Sequence, residues 1–330
     1  MKQLETYLSF IETELNQLDL PTSPKNLYDP IHYFMKIGGK RIRPILTLLA
    51  AEYFGETKEN ALPAAIAIEL FHNFSLMHDD IMDVAPIRRG KATIHEKWNT
   101  NIAILSGDVL FVKAYQQLAK QSQEQLYDLI NLFNKTAIEV CEGQQMDMDF
   151  EQQTAVSTEE YIEMIRLKTS VLLGCALQFG AIIAGASKQN QALIYQYGIN
   201  LGIAFQIQDD LLDLYGEQEQ VGKQIGGDII ANKKTLLCIL ADELADEPNK
   251  HRLTEMYAEK DHSIKILLAR HIFENLGVYE HCHKQKEIYY LKAMEALETI
   301  DYSPNKSLLV NLSDYLFNRE YKTFFLINFR

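Results

Sequence analysis

The sequence predicts an all-α protein on three observations. Glycine and proline number only 16 and 8 in 330 residues, and long stretches hold neither, which disfavours sheets with many turns. Apolar residues recur at three- and four-residue spacing in most of the chain, the helical period. Hydrophobic residues make up 47% and charged residues 23%, ample for a core and too uncharged for global disorder. No tandem repeat and no internal boundary is visible, so residues 1–330 read as a single domain.

Taken in order, residues 3–18 place Leu4, Leu8, Ile11 and Leu15 at helical spacing. Residues 18–27 hold two prolines and read as a linker, with a short helix expected at 31–35. Gly38-Gly39-Lys40-Arg41-Ile42-Arg43-Pro44 follows and runs into an apolar helix over 45–54. Its glycines let backbone approach a ligand closely. Its bases suit phosphate, Arg by a bidentate fork and Lys as a point charge, and they lie near a helix start, where anions bind well.

A helix over 61–85 carries His72 and His78, ends in Asp79, Asp80 and Asp83, and stops near Pro86. His72 lies about two turns before Asp79 and shares its face. Arg88-Arg89-Gly90-Lys91 comes next, then helices over 101–121 and 124–150. Asp147-Met148-Asp149 superficially suggests a calcium loop, but the Gly and Glu of an EF-hand are missing.

Thr158 is expected to cap a helix with Glu159 and Glu160 behind it. Lys168-Thr169 sits within it, just before the apolar run from Ser170. A Lys heading into such a run needs an anion or a snorkelling route. No stretch reaches 18 uninterrupted apolar residues, so no membrane span is expected, and Val171–Ala186 reads as a buried helix. Residues 190–215 form a helix bearing Asp209, Asp210 and Asp213. A glycine loop from Gly222 to Asp228 carries Lys223, and Lys233-Lys234-Thr235 opens another helix. Helices over 250–259, 262–299 and 305–320 close the chain.

The net charge of −13 argues against nucleic acid as a partner. Cys141, Cys175, Cys238 and Cys282 are far apart and read as lone core thiols, which implies a reducing compartment. The polar first residues lack a signal-peptide core, so a cytoplasmic location is expected. His281-Cys282-His283 has no second ligand pair to complete a zinc site.

The two acid motifs are what the chain is organised around. Asp79 and Asp83 lie one turn apart on one helix face, and like charges there repel by roughly 0.2–0.5 kcal/mol per pair. They also sit at a helix C-terminus, where the macrodipole is already negative. Both effects oppose the arrangement, and the second motif repeats the spacing. Divalent metal is the natural counter-charge. Carboxylate is a hard ligand, and Mg²⁺ typically takes one or two of them and completes its octahedron with water and phosphate oxygens.

At these residues the chain resembles the trans-isoprenyl diphosphate synthases, or polyprenyl synthetases, over nearly its whole length. Gly38-Gly39-Lys40-Arg41-Ile42-Arg43-Pro44, the first Asp motif with its upstream half from Glu69, Arg88-Arg89-Gly90, Lys168-Thr169, Phe205-Gln206 with the second Asp motif, and the loop from Gly222 through Lys233 and Thr235 occur in family order. The resemblance implies an orthogonal helical bundle of isoprenoid synthase type around a deep cavity, usually dimeric. It implies head-to-tail condensation of isopentenyl diphosphate with an allylic diphosphate. By position, Asp79, Asp83 and Asp209 would ligate Mg²⁺, three ions bound with the allylic diphosphate, with Asp80, Asp210 and Asp213 in support. Arg88, Lys168, Lys223 and Lys233 would hold that diphosphate, and Lys40, Arg43, His72 and Arg89 isopentenyl diphosphate. Thr169 and Gln206 would face the allylic cation, and the released diphosphate would serve as base. Clustered carboxylates without metal are expected to repel one another and titrate upward.

Phe74 and Phe71, one and two turns before Asp79, would form the cavity floor. Their bulk implies a short product, C15 to C20, with geranylgeranyl preferred. Two alternatives are a class I terpene cyclase and a non-catalytic partner subunit of a heteromeric synthase. The second Asp motif and the bases Lys40 and Arg43 with His72 argue against the first, and the presence of both Asp motifs against the second.

Overall fold

The computed structural model describes residues 2–216, 225–300 and 306–317. Its helices are α1 Lys2–Asn16, α2 Lys25–Ile37, α3 Ile42–Tyr53 and α4 Lys58–Met82. A hairpin of β1 Ile87–Arg88 and β2 Lys91–Ala92 follows, then α5 Ile94–Lys97, α6 Thr100–Leu118 and α7 Gln123–Gln152. Next come α8 Thr158–Ile165, a π turn Arg166–Ser170, α9 Val171–Ile183 and α10 Lys188–Tyr215. The remainder is α11 Gly227–Ile230, α12 Leu236–Leu244, α13 Glu247–Ala258, α14 His262–Asn275, α15 Val278–Thr299 and α16 Lys306–Phe317. The all-α expectation therefore holds, and the fold is a helical bundle.

The chain forms two compact units. The first takes Met1–Thr136, Leu172–Tyr195 and Asp301–Lys306. Its centre is α4, buried along most of its length by Ala61, Ala64, Ala65, Ala67 and Ile68, each 0% exposed. Small residues there let α3 and α6 approach closely. The α4–α6 pair is antiparallel: Gly107 packs on His78, Phe111 on Phe74, and Gln121 donates to the Asn60 carbonyl at 3.1 Å. Gly180 of α9 lies against α3, where a Cβ would stand 2.4 Å from the Thr47 carbonyl oxygen.

α4 ends on a Schellman closure. Ala85 N–H donates to the Asp80 carbonyl at 2.9 Å and Val84 N–H to Ile81 at 3.2 Å. The left-handed position that glycine usually takes is occupied by Val84, at φ +50°. A β-branched residue there is a true outlier, and it stands beside Asp83.

The second unit takes Ala137–Val171, Gln196–Ile300 and Ser307–Arg330. Tyr197, fully buried on α10, hydrogen-bonds the Leu309 carbonyl at 3.1 Å and Ser313 Oγ at 2.6 Å, which fastens α16. Lys265 is buried and donates to the Ile230 and Tyr257 carbonyls, both at 3.4 Å, so one ammonium closes two helix ends.

Several expectations need correction. Residues 262–299 are two helices, broken at Gly277 in the left-handed region at φ +65°. The helix expected at 31–35 is longer and starts after Pro24. The cap before α8 is Ser157, in a full capping box with Glu160, whereas Thr158 reaches Glu243. Cys175, Cys238 and Cys282 are buried thiols, but Cys141 faces outward beside exposed Glu142. Asp147 and Asp149, by contrast, lie within a helix as expected, in α7. Thr158–Ile183 is apolar enough to cross a bilayer by composition, yet 78% of its most apolar window is buried.

Candidate active site

In the first unit the basic loop is held from three sides. Arg41, 3% exposed, donates from Nε to Glu12 at 2.7 Å, from Nη1 to buried Glu69 at 2.6 Å, and from Nη2 to the Met35 carbonyl at 3.2 Å. It is left-handed at φ +49°, so the chain turns there, between Lys40 and the start of α3. The Gly38–Gly39 segment is clamped by Arg89, which donates to the Gly38 carbonyl. A Cβ on Gly39 would stand 2.7 Å from that guanidinium, so a larger residue there would push Arg89 aside. Arg89 is presented by a two-residue turn with φ +51° at Arg89 and +74° at Gly90, the pattern of a type I′ hairpin.

Arg43 Nη1 lies 3.1 Å from His72 Nε2. Burial and the neighbouring Arg43, Arg89, Arg88 and Arg41 hold His72 well below its ordinary value, so the imidazole is neutral and accepts from Arg43. Burial, with Arg89 nearby and against the pull of Glu69, also brings the Arg43 guanidinium down to about 10. Its Nε is buried without a hydrogen-bond partner among the described residues.

Arg88 sits on β1 and spans the first acid motif. It donates from Nε to Asp80 Oδ1 at 2.7 Å and from Nη2 to Asp79 Oδ2 at 3.2 Å. Asp80 is 1% exposed, and its pKa is raised mainly by burial against the pull of Arg88, with Asp79 a smaller contribution. Asp83 is the exposed C-cap of α4.

Along the α4–α6 seam, Phe74 stacks on Phe111 at 4.9 Å between ring centroids and 13° between planes. Phe71 adds contacts to Phe111 and to Phe133, and Tyr115 closes on Phe133. Beyond this plug the same seam opens into a cleft of about 430 Å³, lined by Leu62, Ile66 and Leu70 of α4, Lys113 and Gln117 of α6, and Lys120 just after it.

The second unit carries the other motif on α10. Asp210, 4% exposed, accepts from Tyr161 Oη at 2.5 Å, from the Leu236 backbone N–H at 3.2 Å and from Gln206 at 3.4 Å. Burial pushes its carboxyl up to about 7, with Asp228 adding to the rise. Asp213 accepts from the Asp228 N–H at 3.1 Å and, through its carbonyl, from the Gly226 N–H at 2.7 Å, so it anchors the loop that carries Lys233. Lys233 is half exposed and 4.0 Å from Asp228. Lys168 Nζ pairs with Asp147 at 2.6 Å. Lys223 lies outside the described residues.

The structure thus gathers Lys40, Arg43, His72 and Arg89 around one loop, and Asp79, Asp80 and Arg88 in one ion-pair group. The expected upward titration occurs at Asp80 and Asp210, but desolvation is its main cause, with mutual repulsion secondary. Sequence reasoning missed Tyr161, Asp147 and the buried anchor Arg41–Glu69. Asp147 falls inside the helix expected over 124–150, but nothing in the sequence pointed it at Lys168.

Among the described residues no three His, Cys, Asp or Glu side chains form a ready-made metal-ligand group. The donors suit Mg²⁺ nonetheless: all are carboxylate oxygens, and Asp80 Oδ2 is buried without a hydrogen-bond partner among the described residues. Mg²⁺ favours such half-built sites, because substrate phosphate and water supply its remaining ligands.

One acid motif in each unit, with bases beside both, defines a helical enzyme class built for anionic substrates. The comparisons with known proteins are specific. The family model for polyprenyl synthetase matches residues 24–276. A geranylgeranyl pyrophosphate synthase from Geoglobus acetivorans is 39% identical, over 94% of this chain and 96% of that protein. A solved geranylgeranyl pyrophosphate synthase superposes with a TM-score of 0.92 at 45% identity, over 96% of this chain and 99% of the other. A solved geranylgeranyl pyrophosphate synthetase from Pyrococcus horikoshii gives 0.91 at 35% identity, over 97% and 98%. The chain belongs to the polyprenyl synthetase family and is a trans-prenyltransferase.

Proposed function

We propose that residues 1–330 work as one isoprenoid synthase domain that joins isopentenyl diphosphate to an allylic diphosphate, giving an all-trans C15–C20 product. The allylic C–O bond breaks and its electron pair leaves with diphosphate. The isopentenyl double bond attacks the resulting cation, a new C–C bond forms, and one proton is lost to the released diphosphate. Mg²⁺, held by Asp79, Asp83 and Asp209 with Asp80, Asp210 and Asp213 behind them, would neutralise the charge growing on the leaving group.

The chain's own groups do the rest. Arg88, Lys168, Lys223 and Lys233 hold the allylic diphosphate, and fixed cations there stabilise the leaving group without reorganising. Lys40, Arg43, His72 and Arg89 hold isopentenyl diphosphate. Thr169 and Gln206 face the allylic cation, and Phe74 and Phe71 limit product length. The α6 face bearing Leu105 and Val112, 58% and 57% exposed, supports a homodimer. Four free cysteines fit a cytoplasmic location.

The observation that carries the two-substrate reading is Arg43. It is a half-buried guanidinium facing a neutral imidazole, and its buried Nε is unsatisfied among the described residues. A cation with a buried, unsatisfied donor calls for an anion. A cyclase, with one diphosphate to hold, has no use for a second cationic seat. Arg43→Gln is expected to raise KM for isopentenyl diphosphate about 10- to 100-fold, the worth of a charged hydrogen bond, with KM for the allylic partner unchanged. Asp79→Ala is expected to abolish turnover while the melting curve stays cooperative. Incubating the protein with isopentenyl diphosphate and each allylic starter, with product masses read out, tests the reading directly. A protein that consumes allylic diphosphate alone and forms no longer chain would refute it.

A further inference from the structure

Lys168 and Thr169 lie in a π turn, Arg166–Ser170, set between α8 and α9. Wide turns of this kind are rare and collect at functional sites. The bond that closes it runs from Val171 N–H to the Arg166 carbonyl, and Ser170 Oγ donates to the Ile165 carbonyl at 3.3 Å. Both span five residues. The local sequence Arg-Leu-Lys-Thr-Ser has no feature that forbids an ordinary α turn, so something outside it selects the wider one.

That agent is one stripe of α7. Glu139, Gly143 and Asp147 stand four residues apart and share a helix face. Glu139 Oε1 lies 3.6 Å from Arg166 Nη1. Gly143 meets backbone directly: a Cβ there would stand 2.2 Å from Lys168 N and 2.7 Å from Leu167 C. Asp147 Oδ2 pairs with Lys168 Nζ at 2.6 Å. The first residue of the turn, its middle and its functional ammonium are each met by one position of the stripe. No flexible side chain can move aside at Gly143, because the opposing atoms belong to the main chain.

We propose that Glu139, Gly143 and Asp147 form a positioning element that fixes the π turn and so aims Lys168 and Thr169 at the allylic substrate. The proposal rests on the reading of Lys168 and Thr169 given above. Glu139 and Gly143 touch no reacting atom, and their effect passes through the turn alone.

Gly143→Ala tests it with one methyl. Alanine is the better helix former, so α7 itself gains and any loss originates at the contact. The expected result is a rise of about 10-fold or more in KM for the allylic diphosphate with a fall in kcat, since sub-ångström misplacement of binding groups is costly. KM for isopentenyl diphosphate is expected to stay within about twofold. Mispositioned Thr169 also exposes the cation, so the share of allylic substrate released as alcohol is expected to rise. Wild-type allylic constants and alcohol yield, or equal losses for both substrates, would overturn the proposal. Should Gly143→Ala fail to fold, Glu139→Gln with Asp147→Asn removes the two polar contacts at constant volume. The same allylic-selective loss is then expected, and unchanged constants overturn it. Lys168→Ala is run beside them. If it leaves allylic KM unaltered, the reading of Lys168 fails and takes this proposal with it. If it raises allylic KM while the stripe variants do not, only the positioning element fails.

Discussion

Single residues in this protein are held by buried charge more than by surface pairs. Arg41 and Glu69 are nearly inaccessible, and removing one member of such a pair typically costs about 3–5 kcal/mol because the other is left buried and alone. Glu69 of that pair also acts electrostatically on Arg43, whose Nε is buried without a hydrogen-bond partner among the described residues and whose Nη1 meets His72. His72 yields a pH prediction. Its ordinary value is 6.5, and burial among four arginines holds the folded-state value well below that. Below pH 6.5 the unfolded chain therefore takes up a proton that the folded chain refuses. The stability His72 contributes is complete above that point and is lost as pH falls, at no more than about 1.4 kcal/mol per pH unit. His72→Gln keeps an acceptor for Arg43 and removes the titration. Denaturant midpoints at about pH 7.5 and 5.5 should fall less in the variant than in the wild type. Equal losses would show that His72 titrates alike in the folded and unfolded chain, against a depressed folded-state value.

At the scale of elements, α4 and α6 carry the product-length argument. The antiparallel seam runs from His78–Gly107 through the Phe74–Phe111 stack to the cleft beside Leu70, Ile66 and Leu62. Ile66 lies two turns past Phe74, roughly 12 Å along the helix. Phe74→Ala is expected to shift the product upward by at least one C5 unit, and Phe74→Ala with Phe111→Ala further still, read by chromatography. The double variant loses stacking and buried area, so a fall in stability of about 3–5 kcal/mol should accompany it. An unchanged product distribution would show that the plug is not the floor. Phe74 was legible in the sequence by its position before Asp79, whereas Phe111 was not, because pairing between helices has no signature at fixed spacing. Most helices were legible for the opposite reason: their apolar period is local. The hairpin at Arg88–Lys91 escaped because its strands are two residues long, shorter than any period. Gly277 lies inside the single helix expected over 262–299, and only its left-handed backbone marks the break. Tyr161 gave no sign at all, since a tyrosine on an apolar face reads as core until the carboxylate beneath it is seen.

For the whole molecule, the net charge of −13 sets a problem that the site must solve. Anionic substrates meet a repulsive field, and each unit adds its own acid cluster, Asp79–Asp83 in one and Asp209–Asp213 in the other. The bases are concentrated on a few short segments, and several are already engaged: Arg88 with Asp79 and Asp80, Lys168 with Asp147. No group of three acid or imidazole ligands stands ready for metal among the described residues. Metal alone therefore meets an incomplete ligand set, and diphosphate alone meets carboxylates. Together each supplies what the other lacks. The prediction is synergy in thermal stability. Mg²⁺ alone and inorganic diphosphate alone should each raise Tm little. Both at about 100 times their joint Kd should add about 2.7 kcal/mol, a shift of roughly 5 °C for a chain of this size. Chelation should reverse the shift, and Asp79→Ala should abolish it. If Mg²⁺ alone gave the full shift, the acid clusters would be a preformed metal site, and the shared-ligand reading of the carboxylates would be wrong.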